Sequence, residues 1–115
     1  MKLISMADHN DFIFSITLEG EAYKFHFAWN PRSARWSLDI RDSLGNDIVR
    51  SIAIIPNFPL LNPYRRHAGL PPGELLAIVN TEGKETIGRD DFTSGAASLV
   101  YMPREELENV MESGV

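Results

Sequence analysis

The chain has no cysteine, which excludes disulfide staples and thiolate metal sites and suits a reducing compartment. Long apolar runs are missing as well. Stretches such as Ile52 to Ile55 are far too short to span a bilayer, so no membrane association is expected. The first residues, Met1 to Met6 followed by His9, Asn10 and Asp11, carry no charged leader, apolar segment and small-residue cleavage site in succession, so no export signal is read there. Positive charge is scarce, with 11 Lys and Arg against 16 Asp and Glu and a net charge of −5. Such a balance argues against nonspecific phosphate binding, which needs cations gathered on one face, and favours solubility.

Catalytic and metal-binding patterns are equally sparse. His9, His26 and His67 stand far apart and fit no metal-ligand spacing, so neither metal nor other cofactor is expected. None of Ser51, Ser94 and Ser98 sits in a Gly-x-Ser-x-Gly elbow. Asp90 and Asp91 are adjacent carboxylates that read more simply as a helix cap than as an acid–base pair. His26 falls between Phe25 and Phe27 and reads as a solvent-side strand histidine. No enzyme is expected.

What the chain does have is alternation. Tyr23, Phe25, Phe27 and Trp29 recur at every second position, as do Trp36, Leu38 and Ile40, with Lys24, His26, Ser37, Asp39 and Arg41 between them. Two such runs around Asn30-Pro31-Arg32-Ser33-Ala34 predict a half-buried β-hairpin with these seven apolar residues in the core. Phe12, Phe14, Ile16 and Leu18 predict a strand before it, turning through Glu19, Gly20 and Glu21. Ile48 to Ile55 predicts one after it, beyond a turn at Asp42 to Asp47, so four successive strands form a meander.

From Pro56 to Gly73 five prolines alternate with Phe58, Leu60, Leu61, Tyr64 and Leu70, which neither a helix nor an inner strand accepts. An ordered loop with apolar anchors is predicted, and loops of this length are often binding elements. Leu75 to Val79 and Leu99 to Met102 read as fifth and sixth strands, with Thr81 to Ser94 turn-rich between them. Pro103, Glu105, Glu106, Leu107, Val110 and Met111 suggest a short C-terminal helix. At 115 residues, 43% hydrophobic and 23% charged, the chain reads as one β domain over 1–115, with its core at about 11–102 and a short helix or tail at 103–115. The fold class is all-β, a small antiparallel sandwich or barrel of about six strands.

The motif Tyr23-x-Phe25-x-Phe27-x-Trp29-Asn30-Pro31-Arg32, then Trp36-Ser37-Leu38-Asp39-Ile40 and Asp42-x-x-Gly45-Asn46, resembles the baseplate plug family of contractile-tailed bacteriophages, known from a cyanophage. The resemblance continues through Ile48 to Ile52, Leu60-Leu61-x-Pro63-Tyr64, Leu70 to Leu75 and Leu99-Val100-Tyr101. It implies a virion structural protein in the central hub of a tail baseplate, assembled in the host cytoplasm and helping to close the tube before injection. The implied partners are other baseplate and hub proteins and copies of the chain itself. By this resemblance Asn30, Pro31, Arg32, Leu61, Pro63, Tyr64 and Arg65 are interface residues. Two other readings are a small-ligand or carbohydrate module using Trp29 and Trp36 as stacking platforms, and a small hydrolase using Asp90 or Asp91.

Overall fold

The computed structural model describes residues 1–80, 82 and 85–106. Seven strands run in chain order: β1 (Lys2–Ile4), β2 (Asp11–Leu18), β3 (Glu21–Asn30), β4 (Arg35–Asp42), β5 (Asp47–Ala53), β6 (Glu74–Val79) and β7 (Ala97–Met102). They form two antiparallel sheets, one ordered β2-β3-β4-β5 and the other β1-β7-β6. The fold is an all-β pair of sheets, and no closed barrel forms among the described residues.

The meander follows from its turns. Glu19 and Gly20 both take positive φ, at 50° and 87°, the geometry of the tight turn whose twist matches that of its strands. At the next corner Asn30 Oδ1 accepts the N–H groups of Arg32 (3.0 Å) and Ser33 (3.4 Å), a side-chain turn that holds Pro31 outside the ladder. At the third, the Asp42 carboxylate accepts the N–H groups of Leu44 (3.0 Å) and Asn46 (2.9 Å), which hold it below its ordinary value.

Alternation places Tyr23, Phe25, Phe27, Trp36, Leu38 and Ile40 in a common core with Leu75, Leu99 and Tyr101 of the other sheet. Trp29 departs from the others. It lies at the end of β3, is half-buried, and meets the ring of Trp36 edge-on at 5.6 Å. Trp36 itself is 2% exposed, with the Arg89 guanidinium over its ring.

Three details differ from the sequence expectation. A seventh strand, β1, pairs with β7, and its three residues bury only Ile4, too little pattern to be read. β5 stops at Ala53, short of Ile55, because the chain leaves the sheet there. Inside β5 an extra residue opposes Asp39, and Ser51 takes φ 62°, making a bulge whose free N–H is bonded by Asp39 Oδ1 at 2.7 Å. A short helix, α1 (Asp91–Ser94), precedes β7 and ends at the left-handed Gly95. Residues 104–106 are helical, whereas Leu107, Val110 and Met111 lie outside the described residues.

Candidate functional site

The proline-rich segment leaves β5 at Ile54 and closes the side of the molecule where β5 and β6 meet. The Asn57 N–H donates to Ala77 O (2.8 Å) and that of Leu60 to Leu75 O (3.0 Å), so the segment covers the outer edge of β6. Leu60 and Leu61 are 1% and 0% exposed and act as the anchors. A single 3₁₀ turn, Asn62–Tyr64, follows with Pro63 in it, where the missing N–H costs nothing.

One ion pair holds the loop in shape. The Arg65 guanidinium donates to Pro71 O (2.7 Å) and to Gly73 O, and lies 3.6 Å from Glu74 Oε2. The other Glu74 oxygen accepts the N–H of Leu61 (2.6 Å) and of Leu75 (3.0 Å). Glu74 is 5% exposed, and a carboxylate so buried is tolerable because both of its oxygens are engaged. At the loop's end Gly73 donates to the Tyr101 hydroxyl (2.7 Å), which in turn donates to Glu19 Oε2 (2.5 Å). Burial and the Glu19 carboxylate push the Tyr101 phenol well above its ordinary value. A Cβ on Gly73 would stand 2.1 Å from Met102 O, so only glycine fits.

The seven residues named as interface positions divide sharply. Asn30, Pro31, Arg32 and Pro63 are exposed and Tyr64 is half-buried. Leu61, by contrast, is fully buried in this chain, and Arg65, though exposed, directs its guanidinium to carbonyls of its own loop. Both hold the loop's shape within the chain, and alternation and motif could not reveal which way a loop side chain turns.

Nor do the corner and the loop tip form one patch. Trp29 and Ser33–Arg35 share a cleft with Ile54–Pro56 and Glu85–Gly88, at the loop's start. His67–Leu70 instead border Tyr23, Asp42 and Ile48, at the opposite end of the sheet. Ile55, which lines the first cleft, and Phe58, expected as an anchor of the loop, are each 40% exposed, and neither was read from the sequence as a surface position. Their signal was two large apolar residues flanking Pro56-Asn57 without the alternation of a strand.

On the outer face of the larger sheet the structure shows a feature that residue spacing concealed. His26 is half-buried, with Nε2 2.7 Å from Asp11 Oδ1 and Nδ1 3.0 Å from Asp39 Oδ2. Asp39 lies directly opposite His26 in the ladder, and Asp11 lies diagonally across from it. A polar chain thus crosses all four strands, from Asp11 through His26 and Asp39 to the Ser51 N–H. The Asp39 hydrogen bond, opposed by partial burial and helped by Asp11, raises the His26 imidazole. Burial pushes Asp39 upward, yet the bonds from His26 and Ser51 hold it below its ordinary value. With both ring nitrogens occupied by carboxylates, the cluster ties the four strands together as a cross-strand clasp.

The other chemical candidates find structural employment. Asp91 Oδ2 accepts the Gly88 N–H (2.5 Å), whereas Asp90 pairs with Arg89 (2.8 Å) and makes no side-chain cap to α1. The side-chain cap expected of Asp90 is therefore not made. No cluster of metal-ligating side chains occurs among the described residues. Burial of Trp36 removes one of the two stacking platforms that the ligand-binding reading requires.

The family model described as Cyanophage baseplate Pam3 plug gp18 matches residues 1–105 of the chain. Among curated proteins, none matched.

Proposed function

Because the chain belongs to the cyanophage baseplate plug family, we propose that it occupies the central hub of the tail baseplate and helps to keep the tube closed until injection. A structural role in a phage tail baseplate is the family's own. The hub position, the closure and the neighbours contacted are the proposal. The family match over 105 of 115 residues carries it. The ordered loop supports it, since its shape is fixed inside the chain and docking need not order it.

In this reading the contact surface consists of Asn30, Pro31 and Arg32 at the corner and of Phe58, Pro63 and Tyr64 on the loop. Arg65 and Leu61 keep that loop in place. Other hub proteins are the proposed partners, with assembly in the host cytoplasm. The test is mass spectrometry of purified particles made with wild-type chain and with Phe58→Ala/Tyr64→Ala. Wild-type chain at a few copies per particle and loss of the variant, with its melt little changed, is the expected result. Absence of the wild-type chain from intact particles overturns the baseplate reading, and normal incorporation of the variant overturns the loop as contact surface.

A further inference from the structure

We infer that the free edge of β2 pairs with the same edge of a second copy, antiparallel and about a two-fold axis at Phe14, joining the two larger sheets into one. This inference is independent of the hub assignment. It begins from the four sheet edges, since an uncovered edge is a template for another strand unless something blunts it. β1 has three residues, β5 is bulged at Ser51, and β6 is covered by Asn57 and Leu60. β2 has eight residues, runs in unbroken register with β3 and, among the described residues, is met on its outer side by the Lys2 side chain at Thr17 O and by no covering segment.

Which backbone groups point outward follows from the turn. The two-residue Glu19-Gly20 turn makes Leu18 and Glu21 a hydrogen-bonded pair, so Phe12, Phe14 and Ile16 also bond inward to β3. Asp11, Ile13, Ser15 and Thr17 therefore present their N–H and C=O groups outward. Lys2 Nζ confirms the parity by donating to Thr17 O at 3.1 Å.

Antiparallel pairing must match outward residues with outward residues. The register centred on Phe14 does so over the whole strand, setting Ile13 opposite Ser15 and Asp11 opposite Thr17. Phe14 then meets Phe14 of the second copy, and Phe12 meets Ile16. These three are half-buried in the single chain, and the pairing continues their apolar stripe across the junction. Charge selects the same register. Lys2 lies at the Thr17 end of the edge and Asp11, 70% exposed and bound to His26 through Oδ1, at the other, so the two-fold brings Lys2 of each chain towards the remaining carboxylate oxygen of its mate's Asp11. Sliding by two residues in one direction would set Asp11 against Glu19, like charge against like.

Sedimentation of the full chain over a wide concentration range, read beside amide exchange, tests this. A dimer is expected, with the Ile13 and Ser15 amides gaining protection as it forms while Phe12 and Phe14 are protected throughout. Ser15→Pro removes an outward N–H without touching the ladder to β3 and raises the dimer Kd about tenfold or more, and Ile13→Lys does the same by charge. Lys2→Glu weakens the dimer, and Lys2→Glu with Asp11→Lys restores it. A chain that stays monomeric overturns the proposal. A dimer indifferent to both edge variants, with their melts unchanged, overturns it too, and failure of the charge swap to restore pairing overturns the two-fold register.

Discussion

On the side where β5 and β6 meet, Ile54, Leu60 and Leu61 fill the gap between the sheets and are 4%, 1% and 0% exposed. On the side where β1 lies beside β2, Phe12, Phe14 and Ile16 remain half-buried, and among the described residues Lys2 reaches the strand's outer backbone. Both sides confront the same difficulty, since two sheets packed face to face leave apolar edges open to water. The first is closed from within by an eighteen-residue proline-rich loop (56–73) held by the chain's own hydrogen bonds. The second is left unfinished. A loop rich in proline is thus compatible with two duties, and here its inward duty can be separated from any outward one residue by residue.

The largest expected effect breaks the comparison directly. Leu61→Ala should cost about 2–5 kcal/mol, whereas Ile16→Ala at the open side should cost roughly half as much because its side chain is already partly wet. Equal losses in chemical denaturation would mean that the two sides are sealed alike. Next in size, Arg65→Ala should cost about 1–3 kcal/mol by removing the cation beside the buried Glu74 and leaving two carbonyls without their donor. Arg65→Lys should recover little, because an ammonium cannot span the same three acceptors. Full recovery by lysine would reduce the site to a simple charge contact.

The smallest effect sharpens the comparison at the open edge. The clasp on Asp11 is the polar tie between β2 and the sheet's interior strands, and its strength depends on pH. His26 is raised on folding, so its contribution is fully present below its ordinary value of 6.5 and is lost as pH rises through the raised one. Asp39 is lowered, so its contribution is present above 3.8 and is lost only as pH falls through the depressed value. Comparison of wild type with His26→Gln should therefore show the greatest difference in melting between 3.8 and 6.5, of about 1 kcal/mol or less, shrinking at alkaline pH. A difference that stays constant with pH would remove the imidazolium from the account.

Much of the fold was legible because one kind of information suffices for a meander. Period-two burial marks the faces of β2, β3 and β4, and turn chemistry at Gly20, Asn30 and Asp42 marks where each strand ends. Trp29 shows the limit of the pattern: it keeps the phase of Phe25 and Phe27 but lies where the opposing sheet runs out. The His26 clasp was half legible. Alternation puts His26 and Asp39 on one face, but only the register, with Asp39 opposite and Asp11 diagonal, turns three polar residues into a contact. Arg65 was illegible, since a loop guanidinium that turns inward to carbonyls has the same sequence signature as one offered to a partner. Asn30, Pro31, Arg32, Pro63 and Tyr64 are placed at the surface, and their part in assembly is a matter for the particle experiment.

The Tyr101 hydroxyl serves both sides of the molecule at once. It accepts the Gly73 N–H at the loop's end and donates a hydrogen bond to Glu19, in the turn that closes β2, while Glu19 also accepts the Arg104 N–H at 3.3 Å. One oxygen therefore acts as a pivot between the two edges. Any movement of the Glu19 turn must be followed by the loop's last residues or be met by the loss of a hydrogen bond, and Gly73 has no spare room in which to yield. The end of the loop and the turn that closes β2 thus share one hydrogen-bonded oxygen.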